Sequence, residues 1–257
     1  MQVIKKPTVW YRMGMVWRQL LLLFIVLGTL AIILLMPVIA QNPGYHQFSD
    51  RRELLGVPNF FDVVSNIPFL LVGVACLIHC RKSDLMVYRP AWITFFTGVA
   101  IVSIGSGYYH WNPTSETLVW DRLPMTIAFM GLFVALLSEY VDVRLGKVLL
   151  LPALLLGLAS VLYWYKFDDL RLYIWVQLIP LLTVPVVMAL FRPRYSHQWM
   201  LLLALGSYFL AKVTETYDRE IFNFTQQLIG GHSIKHLLAA AGCFSVLLML
   251  KKRRALQ

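Results

Sequence analysis

Apolar residues in this chain fall into long runs, and the charged residues gather in short clusters between them. A helix needs about 20 mostly apolar residues to cross the hydrocarbon core of a bilayer. Runs near 19–39, 60–80, 90–110, 119–138, 147–164, 172–191, 198–214 and 233–250 answer that description. The pattern predicts an all-α, polytopic transmembrane helical bundle of about eight spans with short connections. No stretch is left over for a soluble domain, and no internal repeat divides the chain into inverted halves.

The first run differs from the others. Lys5, Lys6, Arg12 and Arg18 precede it, and Val38-Ile39-Ala40 resembles a signal-peptidase site. The run is longer than the apolar core of a signal peptide, so a retained helix is the preferred reading. Residues 1–45 are accordingly taken as a cytoplasmic segment plus an additional helix, and residues 46–257 as a seven-helix membrane domain.

Charge then orients the bundle. With the N-terminus in the cytoplasm and the spans alternating, one side holds Lys5, Lys6, Arg12, Arg18, Arg81, Lys82, Arg89, Arg144, Lys147, Arg192, Arg194, Lys251, Lys252, Arg253 and Arg254. These are fifteen of the 23 basic residues, and only Asp84, Glu139 and Asp142 of the 13 acidic ones join them. The bias places both termini in the cytoplasm. The net charge of +10 therefore follows membrane topology, and a nucleic-acid partner is excluded. Charged residues make up 14% of the chain against about 25% in soluble proteins, which agrees with a bilayer partner. Cys76, Cys80 and Cys243 are an odd set without ligand spacing and read as small packing residues.

On this topology the non-cytoplasmic face collects the chemistry. The third span ends in Gly105-Ser106-Gly107-Tyr108-Tyr109-His110, the fourth begins near Trp120-Asp121-Arg122, and the last opens with His232-Ser233-Ile234-Lys235-His236. His232 and His236 stand i,i+4 on a helix, about 5–6 Å apart on one face, so both can reach one ion. Ser106 and His110 repeat that spacing, with the hydroxyl one turn deeper. Three imidazoles with a carboxylate and a hydroxyl beside them suit a catalytic zinc site, which uses three protein ligands and keeps a fourth position for water. Plainer readings exist for each residue alone. Asp121 suits a helix N-cap, Ser106 suits close helix packing beside Gly105 and Gly107, and lone histidines such as His46, His79 and His197 are ordinary interfacial residues. Lys212 and Glu215 read as an i,i+3 surface pair, Asp218 and Arg219 as solvated loop residues, and Trp111, Trp120, Trp164 and Tyr165 as an interfacial aromatic belt.

These motifs in this order resemble the alkaline ceramidases of the CREST superfamily of membrane hydrolases. The shared pattern is a serine four residues before a histidine, an aspartate eleven after it, and a late H-x-x-x-H. Ser65-Asn66 near the start of the second span matches a further family pair, so the resemblance runs from about residue 50 to 250. It implies zinc ligands His110, His232 and His236, with Ser106 stabilising the oxyanion and Asp121 transferring protons. Zinc is preferred to iron because no set of two histidines and a carboxylate is evident. Animal members carry an acidic calcium segment before their first helix. Here Asp50 and Glu53 keep that spacing, but Arg51 and Arg52 intervene and Asn59 stands where an acidic ligand is expected. A solvated charged loop is the plainer reading of that stretch, and a Ca2+ site the alternative.

The expected activity is hydrolysis of the amide of ceramide or a related N-acyl lipid, in a bacterial inner membrane with the site on the periplasmic side. A luminal site in the endoplasmic reticulum or Golgi is the alternative location. A transporter or receptor-like bundle without turnover is the rival function, and a structural zinc protein a third. Nothing in the sequence fixes the oligomeric state.

Overall fold

The computed structural model describes residues 9–256, with side chains from Val16 onward. Lys5 and Lys6 lie outside the described residues, as does the side chain of Arg12. Helix α1 spans Val9–Leu35, and a single 3-10 turn, Pro43–His46, follows it. Helices α2 (Phe60–Val64) and α3 (Ile67–Lys82) make one crossing, interrupted at Ser65-Asn66 just before Pro68. Then come α4 (Arg89–Trp111), α5 (Ser115–Leu136), α6 (Val143–Phe167), α7 (Arg171–Leu190), α8 (Met200–Thr216), the short α9 (Asp218–Phe224) and α10 (Gly231–Lys252). Among the described residues seven of these segments are long and apolar enough to cross a membrane. Helix α8 has 17 residues, a rise of about 25 Å, and makes an eighth traverse. It begins where Ser196 N–H donates to the Arg254 carbonyl at 2.9 Å, and it ends where Glu215 meets Lys235 near the start of α10.

Local sequence explains the helix ends. Thr114 and Thr117 form a reciprocal cap on α5, and the Asp142 carboxylate accepts from Arg144 N–H at 2.8 Å to start α6. Helix α1 stops at Leu35, four residues before the expected end, because Pro37 disfavours helical backbone just before it. The fourth expected span, 119–138, is extended at its end by one wide turn over Leu137–Val141. There Asp142 N–H donates five residues back to Leu137 at 3.1 Å.

The outward surface is apolar, with Phe24, Leu71, Ile104, Leu151 and Phe209 all exposed. Inside, one continuous core runs from Leu22 and Ile33 of α1 through every long helix to Leu250. Small residues set its tightest seam. A Cβ on Gly131 of α5 would lie 2.5 Å from the backbone nitrogen of Phe95, so α4 and α5 touch backbone to backbone. A chain that presents apolar side chains outward over eight traverses is an integral, multi-pass membrane protein.

Helix alternation divides the polar residues between two ends. At one end lie the basic clusters of Arg81, Arg89, Arg144, Arg194 and Lys251. The same end holds a buried pair in which Arg253 Nη1 donates to Glu139 Oε1 at 2.6 Å, while Trp92 Nε1 donates to the same oxygen at 2.8 Å. Cys76 and Cys80 pack beside that end with their sulfurs 4.0 Å apart and no disulfide. Trp164 departs from the expected aromatic belt. It is buried at the opposite end, with the Arg122 guanidinium 3.9 Å above its ring.

Removing Glu139 would leave the Arg253 guanidinium buried without a counter-charge. Glu139→Ala is expected to cost about 3–5 kcal/mol, measured as a lower unfolding midpoint in detergent micelles.

Candidate metal centre

The end opposite the Glu139–Arg253 pair carries the three histidines. His110 closes α4, while His232 and His236 stand on one face of the first turns of α10. All three are buried. Their ring centroids form a nearly equilateral triangle of 4.8, 4.9 and 5.0 Å. One ligand nitrogen from each lies within 4.8 Å of the others, so the set could hold a metal ion. His110 Nε2 and His232 Nε2 are 3.3 Å apart. Two nitrogens at about 2.05 Å on one tetrahedral zinc ion stand about 3.3 Å apart, so this pair has the right spacing.

The helix ends meet here for local reasons. Asn59 adopts a left-handed backbone (φ 45°), which asparagine tolerates, and its amide donates to the His110 carbonyl at 2.8 Å. The break at Ser65-Asn66 turns the Ser65 hydroxyl onto His236 Nδ1 at 2.8 Å. That bond leaves His236 Nε2 for the centre, the arrangement by which outer partners orient metal-binding imidazoles. Helix α10 starts at Gly231 with no capping side chain of its own. Asp218 supplies one from α9, accepting from His232 N–H at 2.8 Å and from Ser49 N–H at 2.9 Å. Asp218 is thus a cap on the helix that carries two of the histidines, a correction to its reading as a solvated loop residue. Arg219 beside it is exposed.

Asp121 lies in the second turn of α5, which begins at Ser115, so it is not a helix cap. Gly105 brings it close to Ser106, since a Cβ there would lie 3.0 Å from the Trp120 carbonyl carbon. Ser106, Asp121 and His236 line one cavity of about 310 Å³. Its remaining wall is mainly apolar and reaches down α5 to Leu132 and down α10 to Val246. A second, polar cavity of about 950 Å³ opens on the other side of the centre and is lined by His232, Asp218 and Arg219.

Several residues at the centre were given no role there by the sequence. Lys235 Nζ lies 2.8 Å from His232 Nε2 and 3.0 Å from Glu215 Oε1, and Glu215 pairs with Lys212 as well. Glu215 is therefore part of the site wall in addition to being half of a helix-surface pair. His232 Nε2 thus faces both the Lys235 amine and His110. Asp62 accepts from Ser233 Oγ at 2.6 Å, fixing α2 against α10. The spacing from Ser65-Asn66 to the H-x-x-x-H motif could not have revealed these partners, because they are contacts between distant helices.

The remaining histidines behave as interfacial residues. His46 Nδ1 lies 2.9 Å from the Tyr109 hydroxyl, His79 Nε2 lies 3.2 Å from the Leu250 carbonyl, and His197 bonds to its neighbour Ser196. Burial, assisted by the Arg122 charge, holds the His46 imidazole below its ordinary range. In the acidic stretch, Asp50 is occupied by Arg52, whose Nε donates at 2.8 Å and Nη2 at 2.5 Å. Glu53 is exposed. A tethered guanidinium thus sits on the first of the two acids.

An eight-traverse membrane bundle with three buried, converging imidazoles defines a class of membrane proteins with a metal-competent centre. A family model described as Ceramidase matches residues 56–257, more than half of the chain, and the chain belongs to the ceramidase family. Membership makes it a membrane hydrolase of lipid amides. A search of the curated proteins gave no match.

Asp218→Ala removes the only side chain among the described residues that caps α10. The variant is expected to lose about 1–2 kcal/mol of stability. Faster amide hydrogen exchange confined to the first turn of α10 would check that the cap is the cause.

Proposed function

We propose that this protein is a zinc-dependent hydrolase that cleaves the amide bond of ceramide or a related N-acyl lipid, releasing a fatty acid and an amine base. The observation that carries this reading is the convergence of His110, His232 and His236, the last of which lines an apolar cavity whose wall also holds Ser106 and Asp121. Three neutral nitrogen donors without a carboxylate among them favour zinc over iron. Zinc bound there would supply Lewis acidity and lower the pKa of a water it holds to about 7.

The chain's own residues supply the rest. The Ser106 hydroxyl donates a hydrogen bond to the substrate carbonyl oxygen as negative charge builds on it. Asp121 takes the proton of the attacking water and delivers it to the amine as the carbon–nitrogen bond breaks. The acyl chain occupies the apolar cavity between α5, α7, α8 and α10, and the lipid arrives sideways from the bilayer. Basic residues gathered at the end away from the histidines support an orientation with both termini in the cytoplasm and the site on the outer face. A bacterial inner membrane with a periplasmic site fits that orientation. Calcium is not part of this reading, because Arg52 already neutralises Asp50.

Metal analysis of the purified protein tests the centre. Zinc is expected at one per chain, falling in His110→Ala and His236→Ala; unchanged zinc in both variants would defeat the proposal. Activity is tested with N-acyl lipids in vesicles. Asp121→Asn is expected to lower turnover by about 10²–10⁴-fold at unchanged zinc content. Lipid accumulation with no product in the wild-type protein would favour transport instead.

A further inference from the structure

The connection between α1 and α2 is docked onto the site at five points. The Ile39 carbonyl accepts from Leu170 N–H at 2.8 Å, and Gln41 N–H donates to Asp168 Oδ1 at 2.9 Å. The Gln41 side-chain oxygen accepts from Arg122 Nη2 at 2.6 Å, with that guanidinium stacked over Trp164 and Tyr173. His46 meets Tyr109, and Ser49 meets Asp218. Residues 39–49 precede the region matched by the family model, which begins at residue 56. Anchored in this way, they deliver the ring of Phe48, 5% exposed, to the histidines. Its centroid lies 4.7 Å from that of His110, 4.6 Å from that of His232 and 5.9 Å from that of Tyr109.

The three imidazoles are oriented unequally. A metal-binding histidine almost always has its second ring nitrogen held by an acceptor, which fixes the ring. His236 has this from Ser65. His110 does not, because its buried Nδ1 has no partner among the described residues. The ring of His232 is hydrogen-bonded through Nε2, the same nitrogen that faces His110. Packing contributes to fixing these two rings, and alongside His236 itself the Phe48 ring packs on both of them.

We propose that Phe48 is a positioning residue of the metal centre, a wedge that sets the His110 and His232 imidazoles toward one ion. Its flat ring lies tilted at 59° to one imidazole and 55° to the other, so both are contacted by a single rigid group. The first membrane helix and its connection thereby become part of the site. The inference rests on the zinc reading above and adds a residue outside the family-matched region.

Zinc retention against graded chelator tests it in the full-length, detergent-purified protein. Phe48→Ala is expected to lose zinc at about 10–100-fold lower chelator strength than wild type, the range for residues that orient ligands. Phe48→Leu, which keeps apolar bulk without a flat face, is expected to lose it similarly, and Phe48→Tyr to restore most of the affinity. Phe224→Ala, an exposed aromatic on the same face, is expected to match wild type. Thermal unfolding of each variant separates loss of fold from loss of orientation. A folded Phe48→Leu that retains zinc like wild type overturns the inference while the centre stands. Zinc absent from the wild type overturns both.

Discussion

The fold depends on satisfying polar groups where no water can do so. Within the bilayer an unpartnered donor or acceptor costs several kcal/mol, which drives polar residues there to find one another across helices. At the histidine end this requirement recruits the Ser65 hydroxyl at the α2–α3 break, Asp218 of α9, Glu215 of α8 and Asn59 ahead of α2. Each bond reaches a residue of α4 or α10. The histidines are therefore the point at which these segments are tied together as well as the candidate chemistry.

The opposite end has its own polar tie, where Glu139 is shared by Arg253 and Trp92. Between the two ties the helices are held mainly by close apolar packing, as at Gly131 against Phe95. An arrangement clamped at both ends can tolerate an apolar cavity in its middle. That cavity reaches the centre at Ser106, Asp121 and His236. The long hydrocarbon of a lipid amide matches such a wall, whereas a soluble amide would leave it unfilled.

Much of this was legible in the sequence because membrane helices announce themselves by length and hydropathy. Alternating the spans placed 106, 110, 121, 232 and 236 at one end, and i,i+4 spacing put His232 and His236 on one face. Legibility stopped where long-range contacts decide. Trp164 looks interfacial by position, yet Arg122 needs an aromatic surface and buries it. Asp218 sits in a polar loop, yet α10 lacks its own cap and draws it in. Phe48 is one aromatic among many, and only the docking of residues 39–49 gives it a task.

The position of the centre between two unlike cavities follows from the same residues. His236 lines the apolar one and His232 the polar one, while Tyr45 and Glu215 border both. Burial and the neighbouring Glu215 carboxylate push the Tyr45 phenol up, so it stays neutral and can donate across that boundary, where it meets Glu215 at 3.5 Å. Amide hydrolysis in a membrane has to bring together a substrate soluble only in lipid and a water molecule soluble only outside it. Two histidines one helical turn apart achieve the meeting by geometry. A turn of α10 is about 5.4 Å, enough for one imidazole to face each solvent while both still converge on His110. The H-x-x-x-H spacing therefore carries a second meaning beyond ligand geometry: it sets the centre across the boundary that its reaction must bridge.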